Sequence, residues 1–426
     1  VNVATSLCSQ LNAVAVVEEY EQKAKDSGLK MVLDVRDKDD NWLRNSSYFS
    51  KLSKKVAVGC DPNNGYHGIR DYAVLTNAYV FDPASYKTAD AFKSAIDYLD
   101  DNFILFSDFV MGEYIGTKVP SELNGQIVVA YAANNVSTLS GFLLNEVKQK
   151  TAKSTGTIPT KNKHTVCFVL TDGDNLQYIL QGFPTVGGNW FGSMDRIDKT
   201  KSIPFGWGLP PSLIDLAAPA AKYYYDNMTS KDEFVMQVSG LGYSFPSVWS
   251  SKAKLRTMAQ QLNTYMGRMD MSILYMIDTG AFDDGNLKYT YNIFTEQSNI
   301  DALFYVNFSG YAYYRGKMAW SNGKPIISVR YALWDNYVKY DEGTDCDGSV
   351  EDVAKKLNEA STDPTSPDGY SLVAVYAWSG LKGGYMSSSG DSYKAARAVI
   401  EKLDSDIDVV TPSEFIRRIK YNKPGR

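Results

Sequence analysis

Thr165-Val166-Cys167-Phe168-Val169-Leu170 is a continuous apolar run that breaks abruptly at Thr171-Asp172-Gly173-Asp174-Asn175. A run of this length bounded by turn residues reads as a buried strand of a parallel sheet with polar residues at its carboxyl end. Similar runs recur at Ile203 to Trp207, Phe234 to Val238, Ile273 to Ile277, Leu303 to Val306, Ile326 to Val329, Leu372 to Tyr376 and Ile407 to Val410. Helix-period stretches separate several of them; Leu255, Met258, Ala259, Leu262 and Met266 share one helix face. The alternation predicts an α/β fold whose C-terminal part, residues 164–426, is a seven- or eight-stranded (β/α) barrel. The last run leads into Thr411-Pro412-Ser413-Glu414, a capping-box signature for a final helix.

In such a barrel the chemistry gathers at the carboxyl ends of the strands. Read in order, those ends present Asp172, Asp174 and Asn175; Trp207; Tyr243 and Phe245 within Gly240-Leu241-Gly242-Tyr243-Ser244-Phe245-Pro246; Asp278; Asn307; Arg330, Trp334 and Asp335; and Trp378. Carboxylates, amides, one guanidinium and several indoles are expected on one rim. In the glycine-rich stretch, Gly240 and Gly242 allow close approach and Pro246 fixes the exit, which would hold Tyr243 and Phe245 out as rigid rings. The competing reading is a tight turn packed under its own aromatics.

Upstream, helix-period and short apolar segments alternate. Leu7, Leu11, Val14, Val17, Tyr20 and Ala24 form a helical stripe, and Met31 to Val35 reads as a strand. A helix near 41–52 and strands at Val56 to Val58, Ala78 to Phe81, Phe103 to Phe106 and Ile127 to Tyr131 follow, with Phe92, Ala95, Ile96 and Leu99 on one helix face. Residues 1–66 and 67–150 are expected to be two small α/β domains or one. The lysine-rich, apolar-poor stretch at 151–163 then reads as a linker.

With 44 basic against 49 acidic side chains, the chain lacks the positive footprint of a non-specific nucleic-acid binder. No stretch has the length and apolarity of a membrane-spanning helix. His67 and His164 are the only histidines, and Cys8, Cys60, Cys167 and Cys346 stand far apart. Histidine-based catalysis and Cys/His metal sites therefore have little to draw on, and no cofactor is expected. Thirty Tyr among 13% aromatics suit a surface that holds a partly polar ligand such as a sugar. Oligomeric state has no signature here.

The run Gly240 to Pro246 resembles the motif that names the GxGYxYP family of glycoside hydrolases, with Phe245 in place of the second Tyr. Leu170 to Asn175, Ile69-Arg70-Asp71-Tyr72 with Val80-Phe81-Asp82, and Val410 to Glu414 are similar to that family too. The resemblance implies small N-terminal α/β domains, a C-terminal barrel related to glycoside hydrolases and polysaccharide deacetylases, and a secreted or periplasmic bacterial protein that meets glycans.

Glycosidic cleavage needs two carboxyl groups, about 5 to 5.5 Å apart for retention and about 6.5 to 9.5 Å for inversion. Asp172 and Asp174 are two residues apart at a strand end, which puts their Cα atoms roughly 6.5 to 7 Å apart in extended geometry. One of them is expected to face Asp278, with Asn175, Trp207, Tyr243, Phe245, Asn307, Arg330, Trp334, Asp335 and Trp378 contacting a carbohydrate substrate. Each aspartate also has a structural alternative: a helix cap for Asp172 or Asp174, a turn for Asp278. A glycan-binding protein with a degenerate barrel is the second reading. A metal-dependent deacetylase is the third, weakened by Gly173 where its motif needs Asp and by the lack of later histidines, though oxygen coordination of a hard cation by Asp172 and Asp174 stays open. The acidic stretch Asp341, Glu342, Asp345, Asp347 reads as solvated.

Overall fold

A computed structural model describes residues 1–63, 68–152, 155–159, 161–334, 347–378 and 391–426. His67, Asp335, Cys346 and the acidic residues 341–345 lie outside them, as does the side chain of Asp347. The chain divides into two compact units: Val1–Phe142 with Asn175–Gln177 and Val248–Lys254, and Leu143–Asp174, Tyr178–Ser247 and Leu255–Arg426.

The first unit is built on β1 (Val56–Gly59), β2 (Tyr79–Phe81), β3 (Ile104–Ser107) and β4 (Gln126–Val129). All pair in parallel in the order β2-β1-β3-β4. One sheet thus spans both N-terminal stretches, and the break considered at 66–67 falls inside it. The helix Ala89–Ile96 buries Phe92, Ala95 and Ile96 and is capped by Thr88, whose hydroxyl accepts from Ala91 N–H at 3.2 Å. Leu99 lies beyond its end. Three expectations fail here in whole or in part. The helix read near 41–52 is only Asp40–Arg44, with a separate 3-10 turn at Phe49–Lys51. The first helix stops at Leu11, where Asn12 turns left-handed (φ 49°) and Ala13 N–H returns to the Cys8 carbonyl, so the stripe does not continue to Ala24. Met31 to Val35 forms no strand and pairs with none among the described residues, and Met31 and Val32 are exposed.

The second unit carries an eleven-stranded sheet: β5 (His164–Leu170), β6 (Phe205–Leu209), β7 (Asp232–Met236), β8 (Ile273–Asp278), β9 (Ala302–Asn307), β10 (Met318–Ser321), β11 (Lys324–Ser328), β12 (Tyr331–Leu333), β13 (Asp347–Gly348), β14 (Tyr370–Val375) and β15 (Ile407–Val409). All eight apolar runs are strands. The pairing order is β10-β11-β9-β8-β7-β6-β5-β14-β12-β13, with β15 on β5. The sheet curls: β11 pairs with β9 and β12 with β14, yet only residues 329 and 330 separate β11 from β12. The β10–β11 hairpin turns through Asn322 (φ 49°) and Gly323 (φ 74°), the left-handed pair that a two-residue hairpin favours. The stretch expected as a linker is in part bonded along this unit, with the Thr151 hydroxyl donating to the Asp232 carbonyl and Ala152 N–H to the Ser230 carbonyl. His164 is buried, its ring nitrogens 2.7 Å from the Ser361 carbonyl and 2.9 Å from the Ser371 hydroxyl.

The final helix, Pro412–Asn422, begins as expected after Thr411, but without a capping box. Ser413 N–H donates at 2.8 Å to Glu233 of β7 instead, and Glu414 pairs with Arg417 and Arg418. Full burial pushes the Glu233 carboxyl up to about 7, against the donors from Ser413 and Thr411. The folded protein holds this proton more tightly than the unfolded chain, so the stabilisation is complete below pH 4.5 and is lost as pH rises through 7. Relative to Glu233→Gln, the parent is expected to lose about 3 kcal/mol of unfolding free energy across that window in urea titrations. A difference independent of pH would show that Glu233 is ionised throughout.

Candidate active site

The carboxyl ends of β5, β6 and β7 are fastened by one side chain. Gln237, just past β7, accepts from Gly173 N–H at 2.8 Å and donates to the Leu170 carbonyl at 2.6 Å. A Cβ on Gly208 would sit 2.0 Å from Gln237 Oε1, and one on Gly173 would sit 2.2 Å from the Gly208 carbonyl oxygen. Only glycine lets the three strand ends approach this closely. The pinned Gly173 is flanked by Asp172, which is left-handed (φ 64°), and Asp174; both are half-buried. Replacing Gln237 with Leu leaves a buried N–H and a buried carbonyl without partners and is expected to cost about 2 to 4 kcal/mol in chemical denaturation. A cost below about 1 kcal/mol would contradict the fastening.

Asp172 is linked onward to β14. The Thr171 hydroxyl donates to Asp172 and accepts from Ala377 N–H at 3.2 Å. Tyr275 of β8 is buried, and the nearby Asp172 charge adds to the burial that pushes its phenol above the usual range. Ala377 lies between two aromatic residues. Tyr376 stacks on Trp334 with centroids 4.1 Å apart and planes 5° from parallel, and Tyr311 meets the Trp334 edge at 4.9 Å. Trp378 continues the series against Tyr376, Tyr178 and Trp190. Trp334, Tyr376, Tyr178 and Tyr311 are half-buried, which leaves part of each ring accessible.

The GLGYSFP stretch is tucked in, contrary to expectation. Ser239 is left-handed (φ 62°), follows a cis peptide between Gln237 and Val238, and extends the β7–β8 ladder with its side chain: the hydroxyl donates to the Ile277 carbonyl at 2.9 Å and accepts from Ile277 N–H at 3.0 Å. Tyr243 and Phe245 are 2% and 0% exposed and meet edge to face at 5.7 Å, with Phe245 against Phe308 at 5.2 Å. They are core rings, not a wall open to ligand. Asp278 closes the loop from below. Its carboxylate is fully enclosed and accepts from Ser247 N–H at 2.8 Å, the Ser247 hydroxyl, Thr279 N–H at 2.6 Å and Gly280 N–H at 3.1 Å. Burial raises its pKa despite these donors. Along β8, Asp278 and Tyr275 fall on alternate faces, so the side of the sheet that feels Asp172 is not the side Asp278 occupies. Asp278 does not stand open opposite Asp172.

Other expected contacts are spent elsewhere. Trp207 is 3% exposed; its Nε1 donates to Asp232 at 2.9 Å, and its ring stacks on Tyr393 at 5.8 Å. Asn307 accepts from Ser309 N–H at 2.9 Å and donates to the Gly280 carbonyl at 3.3 Å. Arg330 precedes β12 and donates to the carbonyls of Tyr370 and Pro367 and to Asp368. Tyr370 begins β14, so Arg330 lies at the amino end of the strands, away from Asp172; the chain continues as β12 beyond the point where the apolar run was read to end. Asn175 groups with the first unit. Asp172, Asp174, Trp334 and Trp378 thus gather at the carboxyl ends. Gln237, Tyr376, Tyr311 and Tyr178 join them unforeseen; Tyr376 was findable as the first residue past Val375, and Gln237 as the lone amide in an apolar run. Among the described residues no three His, Cys, Asp or Glu side chains cluster as a metal site, and no helix is long and apolar enough to cross a membrane.

No curated protein matches the chain. The family model described as "GxGYxYP putative glycoside hydrolase C-terminal domain" matches residues 162–420, and "GxGYxYP_N second domain" matches residues 1–52. A solved structure from Bacteroides thetaiotaomicron VPI-5482, titled a putative hydrolase, is 30% identical and covers all of this chain and 78% of its own, with a TM-score of 0.85. A 4-alpha-glucanotransferase from Thermococcus litoralis, at 9% identity over 60% of this chain and 40% of its own, has a TM-score of 0.36, too slight to carry an argument. The motif reading holds: the chain belongs to the GxGYxYP family of putative glycoside hydrolases.

Proposed function

We propose that the protein hydrolyses a glycosidic bond in a polysaccharide or glycoconjugate at the carboxyl ends of the curled sheet. The observation that supports this most is the Asp172–Thr171–Ala377 chain of hydrogen bonds, which ties a carboxylate to the residue that follows Tyr376 of the Trp334–Tyr376 stack. Sugars pair apolar faces with hydroxyl edges, and rings beside a carboxylate offer both partners. In this reading β5 to β9, the β11–β12 segment and β14 form the wall of a (β/α) barrel, with β15 as an eighth strand. Asp172, which receives the Thr171 hydroxyl, serves as the charged carboxylate, and Asp174 carries the proton to the leaving oxygen. Asp278 positions the GLGYSFP loop. Exposure of such a protein to glycans at the cell surface or in the periplasm belongs to the same proposal.

A ligand held by stacking depends on ring area. Trp334→Ala is expected to raise KM for an oligosaccharide substrate about five- to thirtyfold, about 1 to 2 kcal/mol, with a smaller change in kcat. Unchanged KM would remove the aromatic stack from the site. Binding of glycans without any release of reducing ends would favour a glycan-binding protein.

A further inference from the structure

The first unit has a cleft of its own. A cavity of about 500 Å³ is lined by residues at and beyond the carboxyl ends of all four strands: Gly59 at the end of β1 with Cys60 and Asp61 after it, Pro83, Ala84, Tyr86 and Lys87 after β2, Asp108 to Met111 after β3, and Tyr131 after β4. The order β2-β1-β3-β4 reverses its direction of winding between β1 and β3. Open parallel sheets bind ligands in the crevice outside the carboxyl ends at such a reversal, because the following loops diverge there and leave space. Gly59 keeps the floor low: a Cβ there would lie 2.1 Å from Ser107 Oγ and 2.9 Å from Pro83. The Ser107 hydroxyl is fully buried beside that floor with no hydrogen-bond partner among the described residues.

The lining sets the ligand class. Asp61 and Asp108 each bind one backbone N–H through Oδ1, at Asn63 and Phe109, leaving Oδ2 to accept from a ligand. Lys87 forms no ion pair among the described residues, and Tyr86, Phe109 and Tyr131 supply ring surface. Two carboxylates against one ammonium disfavour a phosphate or any other polyanion. Paired acceptors with aromatic rings suit a neutral polyhydroxylated ligand. We infer that the first unit binds a neutral saccharide at this switch-point cleft, as a site separate from the one at the curled sheet.

The test uses the full chain carrying Asp172→Asn, so that binding is read without turnover, and titrates maltotetraose, cellotetraose and mannotetraose by calorimetry, with inorganic phosphate and ADP as anionic probes. The expected result is binding of at least one tetrasaccharide, weakened about tenfold or more by Asp61→Asn with Asp108→Asn, and likewise by Ala84→Trp, which fills the cleft from an exposed position. Trp334→Ala should leave that binding unchanged, and the cleft substitutions in the parent should leave hydrolysis unchanged, so failure of either site is read separately. Saccharide binding indifferent to both cleft variants, binding of phosphate or ADP in its place, or no binding by any probe would overturn the inference.

Discussion

Asp172→Asn is expected to lower kcat/KM for glycan hydrolysis by about 10²- to 10⁴-fold, the range that a positioned carboxylate contributes to proton transfer or covalent catalysis. The substitution is nearly isosteric, and the Thr171 hydroxyl can still donate to an amide oxygen, so the Thr171–Ala377 link and the fold should persist. Asp174→Asn should be comparably damaging, because hydrolysis with one member of the pair loses either protonation or stabilisation of the oxocarbenium-like centre. The two losses should not add, since residues that act as a unit fail together. Parallel melting curves separate this from unfolding. Activity retained within about threefold in both variants would move the chemistry away from the β5 end.

The largest stability effect is expected at Arg196. Its Nη1 lies 2.8 Å from Asp232, both side chains are almost wholly buried, and its guanidinium lies over the Phe191 ring at 3.7 Å. Asp232 also accepts from Thr229 N–H at 2.7 Å and from Trp207 at 2.9 Å, so every element of this cluster is tied to one carboxylate. Arg196→Met strands that charge and should cost about 3 to 5 kcal/mol in chemical denaturation. Arg196→Met with Asp232→Leu should recover part of the loss, limited by the Trp207 and Thr229 N–H groups left without an acceptor. A loss under about 1 kcal/mol would show that solvent reaches Asp232.

Eight of the eleven strands of the curled sheet were legible because each holds a short apolar run, and parallel strands buried on both faces leave that mark, whereas the short β10, β12 and β13 do not carry it. Met31 to Val35 carries the same mark and forms no strand, since a run of apolar residues does not say whether a neighbour exists to pair with it. The site was half legible. Asp172 and Asp174 sit at a strand end that periodicity locates, but Asp278 and Tyr243 turn on which way a side chain faces at the last residue of a strand or past it. There one left-handed residue, Ser239, and one set of backbone donors around Asp278 decide the outcome. Arg330 was misplaced by a different error: reading the strand as ended at Val329, when it resumes as Tyr331–Leu333, moves a residue from one end of the sheet to the other. Gln237 shows the converse. A buried amide among apolar neighbours has to bond to backbone somewhere, and here its partners are the residues that hold the aspartates.

Release of reducing ends from a panel of purified polysaccharides, followed for the parent beside Asp172→Asn and Asp174→Asn at matched folding, bears most directly on the assignment of hydrolysis to these strand ends. The parent should cleave at least one polysaccharide, and both substitutions should abolish most of that release. Equal release from all three proteins would contradict it.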